Sequence, residues 1–411
     1  MNDKTRDFIE KNLDADVRQL ALKGCRDNGI DLAEALRQIA GRQTARRKLP
    51  SWAAIDGILY PPHLNMEQCS SEQTARYKAA LCRRLLMVLC PQNTSLLDLT
   101  GGFGVDFAFM SEAFDEATYV ERDTQLFAIS STNFDVLGIK AHKLDADGID
   151  ILHATSHATV IYMDPARRDN HGGRTYGISD CTPNVLEIKE ELLEKADYVI
   201  LKLSPMLDWR KAVKDLGEHF VREVHTVAVN NECKELLVVL STRGEGLQLY
   251  CINDQQSFQV SENTEYSECS ENSEYSVFTD LFLYEPNAAI MKAGCFGTVA
   301  CAYGLQQVAP NSHLFISAKL VSDFPGRIFQ IDAVSSMNKH DLKTVLRDIR
   351  QANITVRNFP LTVAELRKRL KLADGGSTYI FATTQANGEH VLFISHAPIL
   401  PHEDCRRAPL P

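Results

Sequence analysis

Apolar positions change their spacing along the chain, and the change divides the sequence into two kinds of region. The first 90 residues show helical spacing, as at Phe8, Leu13 and Val17. From Ser95 onward, short apolar runs alternate with helical stretches, which predicts a mostly parallel sheet covered on both faces. The runs are Leu96-Leu97, Ala117–Val120, Ala141–Leu144, Thr159–Met163, Tyr198–Leu203, Val224–Val229 and Leu236–Leu240.

The last third of the chain has shorter periodic segments, typical of one or two small α+β modules. They follow a polar stretch in which Ser261–Ser267 is nearly duplicated as Ser270–Ser276, and we interpret this stretch as a solvated loop or linker. Beyond it, helical spacing covers Asp341–Arg350 and Val363–Leu372. The predicted strands of this part are Thr355–Arg357, Thr378–Ala382 and His390–Ile394.

Length and composition narrow the class of protein. A chain of 411 residues is too long for one hydrophobic core, and it contains no apolar run that could span a bilayer. The first thirty residues lack the apolar core of a signal peptide. Eleven cysteines without a C-x-x-C pair favour reduced thiols over disulfides or zinc. We therefore expect a cytoplasmic protein with no membrane and no metal.

Charge is distributed unevenly. The net charge is −10, and the segment from Ile252 to Pro286 contains eight acidic residues and no Lys or Arg. From His340 to Lys371 the balance is reversed. A basic surface can therefore exist on an acidic protein.

A glycine-rich turn carries the first chemical signal. The stretch Ser95–Asp106 places Asp98 at a strand end, then three glycines in four positions, then a helix. Such a turn lets the backbone approach a ligand closely. An acidic side chain here would not stabilise the phosphates of a dinucleotide. It would stabilise the positively charged ammonium and sulfonium groups of S-adenosyl-L-methionine. The predicted contacts in this turn are Asp98, Thr100, Gly101, Gly102 and Gly104.

Acids after the next two strands support the same cofactor. Glu121 lies 23 residues after Asp98, where a carboxylate can accept both ribose hydroxyls. Asp145 follows the third strand and could orient the adenine amine. Two alternatives fit equally well: Asp147 could have this role, or Asp145 could simply be a solvated surface acid.

The fourth strand ends in Asp164-Pro165-Ala166-Arg167. This resembles class I methyltransferases that methylate exocyclic amines, whose fourth strand ends in acid-Pro-Pro-aromatic. The resemblance implies that the Asp164 carboxylate and the Pro165 carbonyl hold the amine hydrogens during in-line attack. Arg167 replaces the aromatic ring, and could stack on a base or bind its phosphate, as could Arg168 and Arg174. The alternative is a strand-end turn with solvated arginines.

A closer resemblance covers nearly the whole chain. Met66–Lys78, the Asp98 turn, Asp164–Arg168, Tyr284–Pro286 and the basic C-terminal module together look like bacterial methyltransferases with a THUMP-like C-terminal domain. Within this family, Gln68 and Ser71 could contact the methionine end of the cofactor. Plain helix capping explains Ser71 equally well, and Ser70 with Gln73 has the spacing of a capping box.

The patterns and the resemblance together predict a doubly wound, seven-stranded Rossmann-like α/β fold with small α+β modules. We expect a helical N-terminal region at 1–90 and a methyltransferase domain at 91–255. An acidic linker with a ferredoxin-like module would occupy 256–325, and a THUMP-like RNA-binding domain 326–411.

THUMP domains bind structured RNA, so the resemblance implies methylation of a base in rRNA or tRNA. The rival hypotheses are a small-molecule or protein methyltransferase, and a non-catalytic RNA-binding or assembly protein that keeps the cofactor fold. Solvated helix faces are the ordinary explanation of basic runs. The candidate phosphate contacts of the C-terminal domain are Arg347, Arg350, Arg357, Arg367, Lys368, Arg369 and Lys371.

Overall fold

The computed structural model of the protein describes residues 1–25, 27–89, 92–167, 177–261 and 281–399. These residues form two compact units. The first contains Met1–Val224 and Glu235–Leu247, and the second contains His225–Lys234 with the described residues of 248–399. The predicted linker repeat begins at Ser261, the last residue of a strand, and the rest of it lies outside the described residues.

The first unit begins with helices, as the spacing of apolar residues predicts. Ile9, Ala35 and Ile39 form a small core of their own, and Phe8, Leu13, Val17 and Leu20 pack against it. The helices are α1 Asp3–Lys11, α2 Val17–Lys23, α3 Leu32–Lys48, α4 Pro50–Ala53, α5 His63–Gln68 and α6 Glu72–Leu89.

A sheet with alternating helices follows. An α-helix separates each strand from the next between β1 and β4 and again between β6 and β8, which confirms the doubly wound α/β fold. The strands are β1 Ser95–Asp98, β2 Glu116–Glu121, β3 His142–Asp145, β4 Ala158–Met163, β5 Ala166–Arg167, β6 Cys181–Thr182, β7 Ala196–Leu203, β8 Val221–Val229 and β9 Glu232–Leu240. The helices are α7 Val105–Met110, α8 Thr124–Leu137, α9 Gly148–Ala154, α10 Val185–Lys195 and α11 Trp209–Leu216.

Each of the seven predicted apolar runs overlaps a strand of this sheet, although Ala141 lies just before β3. Within the described residues these strands neighbour each other in the order β8-β9-β7-β4-β1-β2-β3, and β5 pairs separately with β6. The pairs from β7 through β3 are parallel, whereas β9 is antiparallel to β7. Asp98, Glu121 and Asp145 therefore end neighbouring parallel strands at one edge of the sheet.

The second unit contains a hairpin and a mixed sheet. In its described part the sheet order is β13-β14-β12-β15-β18-β17-β16, and β16 is parallel to β17. The strands are β10 Gln248–Asn253, β11 Gln256–Ser261, β12 Phe282–Pro286, β13 Gln306–Gln307, β14 Phe315–Ser317, β15 Gly326–Ser336, β16 Gln351–Val356, β17 Ala373–Thr384 and β18 His390–Ser395. The helices are α12 Ala288–Ala293, α13 Phe296–Tyr303, α14 Lys339–Val345 and α15 Val363–Leu370.

Two expectations need correction in this part of the chain. The predicted acidic linker does not begin at residue 256, because Gln256–Ser261 is strand β11, paired in antiparallel register with β10. Cys301 is disulfide-bonded, contrary to the expectation of reduced thiols throughout. The free cysteines among the described residues are Cys25, Cys69, Cys82, Cys181, Cys233, Cys251 and Cys295.

Candidate active site

The glycine turn after β1 is shaped by close packing. A Cβ atom on Gly101 would lie 2.0 Å from the ring of Tyr119, and one on Gly104 would lie 2.4 Å from the ring of Phe134. Gly104 also has a φ of +78°, which L side chains rarely adopt. The Gly101 N–H donates to the Val120 carbonyl at 2.8 Å. Glycine is therefore required for the turn to lie this close to β2 and α8.

Asp98 contributes a buried carboxylate to this turn. It is 1% exposed, and its Oδ1 accepts a hydrogen bond from the Thr100 N–H at 3.0 Å. Burial raises the pKa of Asp98 well above its usual value, and the neighbouring acids Asp106, Asp164 and Glu121 act in the same direction. Among the described residues, no cationic side chain forms an ion pair with Asp98. A cationic ligand would supply the missing charge.

Glu121 and Asp145 sit at the ends of β2 and β3. The Glu121 carboxylate accepts the Gly102 N–H and the Asp123 N–H, each at 2.7 Å, so it is held rigidly beside the turn. Asp145 lies opposite Glu121 in the strand register and is exposed, with the Thr124 hydroxyl donating to it at 3.3 Å. Asp147 caps α9 through the Ile149 N–H at 2.8 Å. Of the two acids, Asp145 therefore remains the better placed for a ligand.

The reaction motif after β4 contacts the turn directly. The Asp164 N–H donates to the Thr100 hydroxyl at 2.6 Å, so the two strand ends are joined by a hydrogen bond. Asp164 is 40% exposed, whereas Pro165 is buried. Arg167 lies in the short strand β5, and its side chain is outside the described part of the structure. Arg168 and Arg174 are also outside it.

The segment before α6 differs from the predicted helix start. The Thr74 N–H donates to the Ser71 hydroxyl at 3.2 Å, so Ser71, not Ser70, caps the helix. The Ser70 hydroxyl is buried and donates to Asp106 Oδ2 at 2.7 Å. Gln68 is exposed at the end of α5. The cofactor contacts predicted for Gln68 and Ser71 stay predictions.

A buried charge cluster next to Asp164 was missed by the sequence reasoning. Lys202 Nζ lies 2.6 Å from Asp164 Oδ2 and 3.5 Å from Asp106 Oδ2. Lys78 Nζ lies 3.1 Å from Asp106 Oδ1 and also pairs with Glu235. A signal was available, because Lys202 and Glu235 interrupt apolar strands and Lys78 falls on the apolar face of α6. Charged residues at such positions are almost never buried unless they are paired.

Five of the seven cationic residues predicted for RNA contact are exposed. Arg347 and Arg350 follow α14, and Lys368, Arg369 and Lys371 lie on or just after α15. Both helices are anchored by apolar side chains in one core with β16, β17 and β18. Among the described residues, these five form no ion pair with an acid.

Arg357 and Arg367 bind other residues of the second unit. The Arg357 guanidinium donates to the buried Glu285 carboxylate at 3.2 Å, beside Arg327, which pairs with the same group. Arg367 donates to the Ala352 and Ala373 carbonyls. A buried carboxylate and strand-end carbonyls therefore take up donors of both side chains, and the phosphate contacts predicted for them stay predictions.

Comparison with known proteins places this site in a family. Two Mycobacterium tuberculosis proteins, from strains CDC 1551 and H37Rv, are named as S-adenosylmethionine-dependent methyltransferases; each is 24% identical over 310 residues, covering 75% of this chain and 79% of the relative. The crystal structure of a Porphyromonas gingivalis W83 protein assigned as a methyltransferase is 32% identical, with a TM-score of 0.82, over 97% of this chain and 99% of that one. The chain belongs to the S-adenosylmethionine-dependent methyltransferases.

Two family models match the second unit of this methyltransferase. Residues 282–325 match a ferredoxin-like domain, and residues 326–397 match a THUMP domain-like family. These matches confirm the resemblance on which the C-terminal expectations depend.

The residues of the turn fit the cofactor of this family. The buried Asp98 carboxylate is suited to a cation, and the ordered Glu121 carboxylate is suited to a pair of ribose hydroxyls.

In the described ranges, no group of three or more His, Cys, Asp or Glu side chains is arranged to hold a metal ion. No helix in those ranges is both long and apolar enough to cross a bilayer.

Proposed function

We propose that this methyltransferase transfers a methyl group to an exocyclic amine of a base in structured RNA, either rRNA or tRNA. The observation that carries the proposal is the hydrogen bond from the Asp164 N–H to the Thr100 hydroxyl at 2.6 Å. It holds two acceptors, the Asp164 carboxylate and the Pro165 carbonyl, next to the turn that would hold the cofactor. The rival substrates are outcomes of the test.

The chemistry of an amine explains why acceptors are needed. S-adenosyl-L-methionine, when bound, supplies an electrophilic methyl group on a sulfonium. An exocyclic amine delocalises its lone pair into the base, and hydrogen bonds to its two N–H groups orient the nitrogen for in-line attack. The Asp164 carboxylate would accept one N–H and the Pro165 carbonyl the other, so no covalent enzyme intermediate is required.

RNA as the substrate class is supported by the C-terminal domain. The five exposed cations at Arg347, Arg350, Lys368, Arg369 and Lys371 lie in the domain that matches the THUMP-like family. Unpaired surface cations are suited to phosphate contacts. Arg167 and Arg168, which follow Pro165, and Arg174 are proposed to act on the RNA near the reaction centre.

The test uses purified protein, tritiated cofactor and total bacterial RNA, followed by nucleoside analysis. We expect label in a methylated base, and we expect Asp164→Ala to lower the rate on the order of 100-fold or more. Calorimetry should show cofactor affinity nearly unchanged in Asp164→Ala. Asp56→Ala, at a 94% exposed side chain paired with Arg42, is the control that should retain activity.

Three results would contradict the proposal. Label in small molecules or proteins but not in RNA would favour a different substrate class. Failure to bind the cofactor at millimolar concentration would favour a non-catalytic protein. Equal loss of transfer and cofactor affinity in Asp164→Ala would mean that Asp164 serves the cofactor and not the target amine.

A further inference from the structure

Lys202 is the buried cation nearest to the reaction motif. It lies near the end of β7 with 12% of its side chain exposed, and its Nζ donates to Asp164 Oδ2 at 2.6 Å. A second carboxylate, Asp106, accepts from the same Nζ at 3.5 Å. Lys202 therefore bridges the helix after the cofactor turn and the carboxylate that follows β4.

Asp106 is itself held by several donors, so it is a fixed anchor for Lys202. The Ser70 and Tyr162 hydroxyls donate to its Oδ2 at 2.7 and 2.8 Å, and the fully buried Lys78 lies 3.1 Å from its Oδ1. Burial raises the pKa of Asp106, but Lys78 and Lys202 outweigh this effect and lower it to about 2. The two lysines therefore favour the ionised form of Asp106.

Lys202 remains charged in this environment. Burial lowers the pKa of Lys202, but the nearby carboxylates Asp164, Asp106 and Glu235 outweigh it, so the pKa is raised well above its usual value. Burial raises the pKa of Asp164, and Lys202 is the largest opposing influence. The other titratable groups around this pair are Asp98 on β1, Lys78 on α6, Asp106 on α7, Tyr162 on β4, Glu235 on β9 and Cys69 before α6.

Asp164 has a second anchor at its main chain. Its N–H donates to the Thr100 hydroxyl at 2.6 Å, in the cofactor turn. With Oδ2 bound to Lys202, the remaining carboxylate oxygen is Oδ1, which makes no hydrogen bond to any described residue. Asp164 is 40% exposed, so a substrate can reach it.

We propose that Lys202 is a positioning residue for methyl transfer: it orients Asp164 and keeps it ionised, so that Oδ1 faces the target amine as an acceptor. Thr100 completes the arrangement by fixing the Asp164 main chain. This inference rests on the proposed role of Asp164 in amine methylation. It also assigns a function to the Thr100 hydroxyl, which accepts the Asp164 N–H.

The charge effect can be measured without substrate. Protein labelled with ¹³C at aspartate carboxyls is titrated by NMR, with Asp164→Asn identifying the Asp164 signal. In Lys202→Met we expect the Asp164 midpoint to rise by about 1 to 3 pH units, because the closest opposite charge is removed. Lys143→Met removes a lysine that pairs with Asp135 elsewhere in the first unit, and should leave the midpoint unchanged.

Lys202→Gln provides the same comparison if Lys202→Met does not fold. An unchanged Asp164 midpoint in a folded variant would overturn the proposal. This result is independent of RNA methylation, so it separates the inference from the proposed function.

The positioning effect is measured by activity. Lys202→Met should lower kcat more than it raises KM, and its activity should fall at a higher pH than in the wild type as the solution is acidified. Lys202→Arg should recover part of kcat because it restores the cation. Thr100→Val should lower kcat without raising the Asp164 midpoint. Thr132→Val, at an exposed position of α8, should change neither kcat nor the midpoint. Equal kcat values in wild type, Lys202→Met and Thr100→Val would reject the positioning role.

Discussion

Asp98 illustrates how one residue prepares a site for a cation. Its carboxylate is buried at the end of β1 and has lost its hydration. The hydrogen bond from the Thr100 N–H, at 3.0 Å, compensates for only part of that loss. Its pKa is raised because the ionised form is poorly stabilised. A bound ammonium or sulfonium would favour the ionised form, so ligand binding and ionisation of Asp98 should be coupled.

Asp98→Asn should weaken cofactor binding by about 10- to 100-fold, since a charge-assisted contact in a buried site is replaced by a neutral one. Calorimetry gives the affinity. In the wild type, affinity should also fall as the pH is lowered through the raised pKa of Asp98, because protonation removes the negative charge. Asp98→Asn should lose this pH dependence.

The control for this prediction is Asp56→Asn, which changes an acid whose side chain is 94% exposed. It should bind the cofactor as the wild type does. If Asp98→Asn binds with wild-type affinity, the carboxylate contributes only to the structure of the turn.

At the scale of elements, α14 and α15 combine an apolar anchor with a charged outer side. Leu366 and Leu370 enter the core shared with Ile354, Ile380 and Leu392. Helix α15 begins with a capping box, in which Thr362 and Glu365 exchange hydrogen bonds. This geometry points the apolar residues inward, so the three cations at and beyond the end of α15 are exposed. The stability of α15 therefore does not depend on those three cations.

The triple variant Lys368→Glu, Arg369→Glu, Lys371→Glu should weaken binding of structured RNA at least about 10-fold, because three phosphate contacts become repulsive. Filter binding or fluorescence anisotropy measures the affinity. Thermal unfolding should be nearly unchanged, since all three side chains are exposed.

A matched control reverses the same number of charges away from α15. The control is the triple variant Lys11→Glu, Lys23→Glu, Lys140→Glu, in which all three lysines are exposed and belong to the first unit. This variant has the same net charge as the α15 variant. Equal loss of RNA affinity in the two variants would show that total charge matters and that α15 is not a specific RNA-binding element.

For the whole molecule, the total charge opposes binding to nucleic acid. The chain has 54 acidic and 44 basic residues, so an RNA strand is repelled at long range. Binding must therefore depend on local contacts between exposed cations and phosphates. Salt screens both the phosphate contacts and the general repulsion. In the formed complex the loss of the phosphate contacts is the larger effect, so added salt should lower the RNA affinity.

RNA affinity should fall steeply with salt, with a slope of log affinity against log salt of roughly −3 to −4 if about four or five cations contact phosphates. The affinity is measured between 50 and 300 mM potassium chloride, by the method used for the variants. The α15 triple variant should have a shallower slope than the wild type. A slope near zero in the wild type would rule out phosphate contacts as the basis of binding.

The sequence by itself determined the order of the elements and the chemistry at the strand ends. Apolar period and turn composition are local properties, so each of the seven predicted runs overlaps a strand of the structure. Asp98, Glu121 and Asp145 could be predicted to share an edge, because the carboxyl ends of neighbouring parallel strands meet there.

Only the tertiary structure decided which charges meet. Lys202 and Asp106 are 96 residues apart in the chain, and Arg357 and Glu285 are 72 apart. No local pattern pairs such residues, since burial makes a charge costly until folding brings its partner within reach. Thr100 depends on both: the sequence places it in the glycine-rich turn as a predicted contact, and the fold gives its hydroxyl the Asp164 N–H as a partner.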